Sequence, residues 1–155
     1  MVCLYVDDLI FTENDAKMFD EFKKSMMKEF EMTDLGLMHY YLGLEVIQTT
    51  AGNFIYQKKN VHDILKRFQM DDCKPFGTPV EVGLKLCKDK GGKDVNMKRI
   101  LRYVKGTTDY GVFYKREDGY GFIGYTDSDY AGDIDDRKST YGHTFLLNSG
   151  AVSWY

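Results

Sequence analysis

Two adjacent carboxylates near the start of the chain, Asp7 and Asp8, are the residues whose types and spacing best suit a chemical step. Their oxygens are hard ligands of the kind that Mg²⁺ prefers, and the ion keeps open positions for substrate phosphates. Two such ions between shared carboxylates stabilise the attacking and leaving oxygens of a phosphoryl transfer. Asp is also a common turn residue, so an ordinary hairpin stays an open interpretation of these residues alone.

The elements that must position this pair are two short apolar runs, residues 2–6 and 9–11. Both runs are rich in β-branched and aromatic residues, which predicts strands, and the Asp7-Asp8 pair between them predicts a tight turn. The carboxylates are therefore expected at the tip of a β-hairpin.

A helix is predicted directly after the hairpin. Asn14 and Asp15 are suitable N-caps, and the helix is expected to have about four turns and to end before Gly36. An apolar stripe at helical spacing is expected to pack under the hairpin. The stripe consists of Met18, Phe19, Phe22, Met26 and Phe30.

The composition excludes several broad classes of protein. The 155 residues allow one domain or two small ones. The 12 Tyr and 10 Phe argue against disorder, which goes with few aromatic residues. The net charge of −3 argues against a protein that coats DNA non-specifically, so any nucleic-acid contact has to come from local basic patches.

Cysteine and histidine residues give no sign of a metal site or a disulfide frame. None has a ligand spacing such as C-x-x-C. Unpaired cysteines of this kind suit a reducing compartment. They are interpreted as structural or surface residues: Cys3, Cys73, Cys87, His39, His62 and His143. Since no apolar run approaches membrane-spanning length and no signal peptide is apparent, the sequence predicts an intracellular protein that is not secreted.

The middle of the chain predicts a second hairpin and a second helix. Residues 39–48 alternate as a strand with Gly43 at a bulge, residues 49–53 form a turn, and residues 54–57 return as a strand. Residues 60–69 have the apolar spacing of a helix. Residues 70–94 contain both prolines and no periodic pattern, which is typical of a linker.

The last third predicts another helix, capped by Asp94, followed by strands. Lys98, Arg102 and Lys105 lie at i, i+4 and i+7, which places three cations on one helix face. That face is either exposed to solvent or contacts the phosphates of a nucleic-acid backbone, and both interpretations stay open. Strands are predicted at residues 112–115, 120–126, 143–147 and 151–154, with turns at 117–119 and 148–150 that join the first two and the last two.

Segments along nearly the whole chain resemble, in the same order, the reverse transcriptases of Ty1/copia-type retrotransposons. Tyr-Val-Asp-Asp inside an apolar strand pair resembles the active-site motif of these enzymes. The matching stretches are LYVDDLIFTEND, FDEFKKSMMKEFEMTDLG, YYLGLEV, FIYQKKNVHDILKRFQM, the C-x-P-x-x-TPV run at Cys73, KRILRYVKGTTDYGVFY and GYTDSDYAGDIDDRKSTYGHTFLLNSGAVSW.

The resemblance implies site residues as well as a reaction. Asp7 and Asp8 become catalytic Mg²⁺ ligands in template-directed DNA synthesis from dNTPs. Tyr5 and Val6 are implied to lie against the RNA/DNA template–primer, together with a primer grip at Tyr41, Leu42 and Gly43 and the cations Lys98, Arg102 and Lys105. Asp127 becomes a metal ligand on the first strand of a ribonuclease H domain, and Asp129 is a less certain neighbour.

The same resemblance implies an α+β fold in three parts. Residues 1–90 are expected to be a palm and thumb fragment, 91–110 a connection helix, and 111–155 a partial ribonuclease H-like antiparallel sheet. The family's fingers, its third catalytic carboxylate, part of its connection and its second ribonuclease H ligand have no counterpart here. The polypeptide is therefore expected to be inactive alone and could associate with a longer Pol protein. The alternative is a non-enzymatic nucleic-acid-binding or interaction remnant.

Overall fold

The computed structural model describes residues 1–81, 83, 96–116, 121–133 and 136–155. By their contacts they form two compact units, Met1–Met38 and His39–Tyr155. Helices and antiparallel sheets occur together, so the predicted α+β class is confirmed. The predicted division near residue 90 falls outside the described residues and stays a prediction. Among the described residues, no helix has both the length and the apolar character needed to cross a membrane.

The first unit is a hairpin supported by a helix. Strands β1 (Val2–Tyr5) and β2 (Asp8–Phe11) pair antiparallel, with Val2 opposite Phe11 and Tyr5 opposite Asp8. Helix α1 (Ala16–Glu29) follows, and its 14 residues confirm the predicted length.

Asp15 caps α1, as the sequence predicts. Its carboxylate accepts hydrogen bonds from the backbone N–H of Lys17 at 2.8 Å and of Met18 at 3.4 Å. The ring centroid of Phe11 lies 4.4 Å from that of Phe19 and 5.0 Å from that of Phe22. The helix thus packs Phe19 and Phe22 against β2, which confirms the predicted support under the hairpin for these two residues. Met18 and Phe30 of the predicted stripe are instead 57% and 59% exposed.

An ion pair holds the chain that leaves α1 against the helix. The Lys23 ammonium bonds the Asp34 carboxylate, which also accepts from the backbone N–H of Gly36 at 2.9 Å. These bonds hold the pKa of Asp34 below its ordinary value, and the bond to Asp34 raises the pKa of Lys23. The contribution of the Asp34 carboxylate to stability is therefore present above its unfolded-state pKa and is lost as the pH falls through its lowered folded-state pKa.

The second unit contains two antiparallel sheets and two helices. The first sheet has the order β3 (Tyr40–Tyr41), β4 (Leu44–Gln48), β5 (Gly52–Tyr56) and β6 (Gly111–Lys115). The second sheet has the order β7 (Phe122–Asp129), β8 (Thr140–Leu147) and β9 (Gly150–Trp154). Helix α2 spans Lys58–Arg67 and helix α3 spans Met97–Gly106.

The buried core of the second unit is small. Among the described residues, the buried apolar side chains are Val46 on β4, Leu65 on α2 and Leu101 on α3. Leu65 is the most deeply buried, with 1% of its surface exposed. Leu65 lies on α2, which packs against both α3 and β4.

Three local predictions for this unit are wrong. The predicted single strand 39–48 is broken at Leu42 and Gly43, because both residues have positive φ, 49° and 85°, and reverse the chain. The strand 112–115 was expected to pair with the strand at 120–126, but β6 pairs with β5 instead, with Phe54 opposite Phe113. Helix α3 has Asn96 as its N-cap, and the predicted cap Asp94 lies outside the described residues.

The turn between β8 and β9 docks on β6 and joins the two sheets. The Tyr114 hydroxyl donates to the Ala151 carbonyl at 2.5 Å. Ser149 Oγ accepts from the backbone N–H of Lys115 at 3.1 Å and donates to the carbonyl of Phe113 at 3.1 Å. The packing requires glycine at position 150, since a Cβ on Gly150 would overlap the Tyr114 ring.

A carboxylate from the sheet caps the start of α2. The N-cap residue Gln57 makes no side-chain cap hydrogen bond, but Glu45 Oε2 accepts from the backbone N–H of Lys59 at 2.7 Å. We expect Glu45→Ala to lower the free energy of unfolding by about 1 kcal/mol, the usual effect of losing a helix cap. Glu45→Gln keeps an acceptor and should lose less. Urea denaturation followed by circular dichroism measures both, and an equal loss in Glu31→Ala, at an exposed site, would contradict the assignment.

Candidate functional site

The hairpin in the first unit carries the two acidic residues singled out by the sequence. Tyr5 pairs with Asp8, so the two turn residues are Val6 and Asp7, one position earlier than the predicted Asp7-Asp8 turn. Asp8 is the first residue of β2 and Asp7 lies at the apex. The two carboxylates still lie on neighbouring residues at the end of a rigid ribbon, supported below by α1.

The backbone of the turn is strained at Val6. Its φ is +55°, whereas Asp7 does not have a positive φ, and this combination is that of a type II′ turn. A β-branched residue in the left-handed region is a genuine outlier and costs on the order of 1–3 kcal/mol. The strain is located beside the candidate catalytic carboxylate, which is where such distortions are commonly found.

The side chains of the turn point into open space. Asp7 and Asp8 are both exposed, and within the part of the chain that the structure describes neither forms a salt bridge. Val6 is 80% exposed and Tyr5 is 55% exposed. The turn therefore presents two unpaired carboxylates flanked by uncovered apolar and aromatic surface.

The donor set of this turn fits Mg²⁺ in part. The ion is commonly held by one or two carboxylates, with water and substrate phosphates in its other positions. Asp7 and Asp8 supply two carboxylates on adjacent residues. In the described ranges, no three His, Cys, Asp or Glu side chains are grouped closely enough to hold a metal by themselves. An ion held by this pair would take its remaining ligands from water and substrate phosphates.

The residues predicted as a primer grip form a second exposed turn, in the other unit. Tyr41 pairs with Leu44, and Leu42 and Gly43 both have positive φ, as in a type I′ turn. Gly43 therefore lies in the turn, which contradicts its predicted place at a bulge. Leu42 is 50% exposed at the apex. These residues belong to the unit His39–Tyr155, whereas Asp7 and Asp8 belong to Met1–Met38.

Helix α3 carries the predicted basic residues, but they differ in environment. Lys98 is exposed, whereas Arg102 and Lys105 are half-buried. Arg102 Nε donates to the carbonyl of Lys74 at 2.7 Å, so this side chain is not simply solvated.

Arg99 is a further residue of this surface that sequence reasoning missed. Its guanidinium donates to the carbonyl of Thr78 at 3.2 Å and to the Thr78 hydroxyl at 2.7 Å. The available signal was the pair of arginines three residues apart on one helix, facing a Pro-Phe-Gly segment that was interpreted only as a linker.

The second sheet places Asp127 and Asp129 on β7, opposite Gly142 and Thr140 of β8. Because side chains alternate along a strand, the two carboxylates share one face. Asp136 donates its backbone N–H to Asp133 Oδ1 at 3.1 Å, and its carboxylate pairs with Lys138 at 2.6 Å, as expected of loop residues. Asp135 lies outside the described residues.

Comparison with known proteins gives a consistent result. Residues 1–82 match the family model "Reverse transcriptase (RNA-dependent DNA polymerase)". A Pol polyprotein from transposon TNT 1-94 of Nicotiana tabacum is 30% identical over 99% of this chain and 15% of its own length. A Pol polyprotein from transposon RE2 of Arabidopsis thaliana is 28% identical over 97% of this chain and 13% of its own length. An uncharacterised mitochondrial protein of Arabidopsis thaliana is 28% identical over 97% of this chain and 80% of its own length.

The alignments also bear on the length of the chain. The chain spans 15% and 13% of the two Pol polyproteins. The first alignment runs over 205 positions although this chain has 155 residues, so the relative has residues that this chain lacks. The expected absence of part of the family's connection stays a prediction. No solved structure matches the chain.

Proposed function

This chain belongs to the reverse transcriptase (RNA-dependent DNA polymerase) family, and on that premise we propose that Asp7 and Asp8 are the catalytic carboxylates of a copia-type retrotransposon polymerase. The chain is a reverse-transcriptase-like part of a Pol polyprotein, similar over almost its whole length to the polyproteins of TNT 1-94 and RE2. One observation carries the assignment. Within the matching region 1–82, the exposed turn of the first hairpin presents two neighbouring carboxylates with no described cationic partner.

In the proposed mechanism, the primer 3′-hydroxyl attacks the α-phosphate of a dNTP and pyrophosphate leaves. Bound Mg²⁺ would supply charge stabilisation for the attacking and leaving oxygens. Asp7, at the apex, is the main ligand in this proposal, and Asp8 is its partner. Tyr5 and Val6 would lie against the end of the template–primer, and the turn at Tyr41, Leu42 and Gly43 would hold the primer strand.

The proposed assignment of the remaining parts follows the family order. Residues 1–90 would correspond to palm and thumb, 91–110 to a connection helix, and 111–155 to a ribonuclease H-like sheet in which Asp127 is a metal ligand and Asp129 lies beside it. The consecutive antiparallel pairing of β7, β8 and β9 supports the last assignment. Strand β6, at the start of the last part, pairs with β5 of the first part. A longer Pol protein is the proposed partner, and the family match favours the polymerase assignment over a non-enzymatic remnant.

We expect the polypeptide of residues 1–155 to extend a primer little or not at all by itself. A site of this type uses a third carboxylate, and in the described ranges no third acidic side chain is grouped with Asp7 and Asp8. The measurement is primer extension on an RNA template with Mg²⁺ and dNTPs. Extension that Asp7→Asn abolishes and Glu13→Gln leaves intact would disprove the expected inactivity and support the site. Extension that is insensitive to both Asp7→Asn and Asp8→Asn would overturn the assignment of the carboxylates.

A further inference from the structure

A short segment of the chain, residues 74–78, lies along helix α3 and is fixed there by two arginines. Arg102 Nε donates to the carbonyl of Lys74, and the backbone N–H of Phe76 donates to the carbonyl of Arg102 at 3.0 Å. Arg99 binds both the carbonyl and the hydroxyl of Thr78. The segment is therefore anchored at its start, middle and end.

The ring of Phe76 orients both guanidinium groups. Arg99 Cζ lies 4.0 Å from the ring centroid and Arg102 Cζ lies 5.0 Å from it. Contacts of this kind are favourable, and they restrict side chains that would otherwise sample many rotamers. Both positive charges therefore lie against the same aromatic ring.

No carboxylate neutralises these charges in the part of the chain that the structure describes. Neither Arg99 nor Arg102 takes part in a salt bridge there. Helix α3 itself carries four cationic residues and no acidic one. Two cations on one ring without a counter-ion are favourably placed to bind an anion, since an opposite charge nearby stabilises the charged form of each.

Several N–H donors of the two arginines remain available. Each guanidinium has five N–H groups. Arg102 donates hydrogen bonds within the chain from its Nε, and Arg99 donates from its Nε and its Nη2. Both Nη atoms of Arg102 and Nη1 of Arg99 have no partner among the described residues. The planar N–H groups of a guanidinium can donate parallel hydrogen bonds to two oxygens of the same phosphate.

We propose that Arg99 and Arg102, oriented by Phe76, form a site for a backbone phosphate of a nucleic-acid duplex. This inference rests on the proposed association with a template–primer. It assigns the contact on α3 to residues other than those predicted from the sequence. The contact centres on the arginine pair and not on the lysines predicted from helical spacing. Lys98 is exposed and has a flexible stem, so it would pay more side-chain entropy for each phosphate that it binds.

The test is the affinity of the 155-residue protein for a short, fluorescently labelled RNA–DNA hybrid, measured by anisotropy over a salt series with EDTA present. The variant Arg99→Gln/Arg102→Gln should weaken binding by about tenfold or more, and should reduce the slope of log affinity against log salt by about 1 for each phosphate that is no longer bound. The matched control Lys98→Gln/Lys105→Gln removes the same charge from the same helix and should weaken binding less than threefold, roughly the effect of an exposed charge. An equal or greater weakening in the lysine variant would overturn the proposal.

A second measurement keeps the test independent of folding defects, because the arginines also hold residues 74–78. In the unmodified protein, the Nε–Hε NMR signals of Arg99 and Arg102 should shift on addition of the hybrid, whereas those of Arg67 and Arg137 should not. Inorganic phosphate and a dNTP, added separately, should compete only weakly, and strong competition by the dNTP would overturn the assignment to a backbone phosphate. Unshifted signals in a protein that binds the hybrid would also overturn it.

This experiment is separate from the test of the carboxylates. Since EDTA removes divalent ions, the binding that is measured does not depend on an ion held by Asp7 and Asp8. Failure of the catalytic assignment would appear only as primer extension that is insensitive to Asp7→Asn and Asp8→Asn. Failure of the phosphate site would appear only in binding and in the arginine signals.

Discussion

Gly52→Ala is expected to lower the free energy of unfolding of the His39–Tyr155 unit by on the order of 2–5 kcal/mol, because strain and overpacking would add. Gly52 begins β5 with a φ of +153°, a conformation that side chains rarely adopt. A Cβ there would overlap the carbonyl oxygen of Tyr114 and would lie 2.9 Å from the Cα of Lys115. Both neighbours are backbone atoms of β6, so relief would require the strands to separate. Guanidinium denaturation followed by circular dichroism measures the change.

Two other glycines separate strain from crowding. At Gly77 a Cβ would meet no atom within 4 Å, and at Gly36 the space is equally open but the φ is +74°. Gly77→Ala should therefore be close to neutral, and Gly36→Ala should cost about 1 kcal/mol through strain alone. If Gly52→Ala were no worse than Gly36→Ala, the close approach of β5 and β6 would be wrong.

Leu65→Ala is the second large expected effect, a decrease of about 2–5 kcal/mol in the free energy of unfolding, because apolar burial is removed and a cavity is left behind. Leu65 is 1% exposed and lies on α2, which packs against α3 and β4. Its neighbour Ile64 is 36% exposed and serves as the matched control. Ile64→Ala should cost clearly less, and an equal cost would show that Leu65 is not the centre of the packing.

The destabilisation at Leu65 also has a functional consequence. Small domains are stable by only about 5–15 kcal/mol, so this change removes a large part of the total. Helix α3 depends on α2 for its packing. Leu65→Ala should therefore weaken binding of the RNA–DNA hybrid near the lowered melting temperature of the variant protein, and should leave binding intact well below that temperature. Circular dichroism and anisotropy on the same samples compare the two.

Local patterns in the sequence predicted the elements whose determinants are local. Helix α1 begins after Asp15 because that carboxylate caps the two N–H groups that follow it. The stripe of phenylalanines predicted the packing against β2 for a similar reason, since residues at helical spacing share a face. The first hairpin was predicted as well, apart from a shift of one residue in its turn.

Features that depend on distant contacts were not predicted. Strand β6 pairs with β5 although Gly111 lies far along the chain from its partner Tyr56, and periodicity carries no information about which strands pair. The sequence also grouped Arg102 with Lys98 and Lys105, because spacing shows a shared helix face but not what packs on it. The ring of Phe76 packs on Arg99 and Arg102 and so sets these two residues apart from the lysines. The position of this ring on α3 follows from tertiary structure alone. Val6 in the left-handed region was likewise unexpected, because no intrinsic preference of valine favours it.

The contact of the β8–β9 turn with β6 has a consequence for self-association. Strand β6 is the outermost strand on one side of its sheet, and open strand edges are templates on which further chains can add. Ser149 occupies the N–H of Lys115 and the carbonyl of Phe113, so part of that edge is blocked within the same molecule. The opposite edge, β3, is only two residues long. Ser149→Ala would therefore remove a protection against fibril-like aggregation as well as two hydrogen bonds.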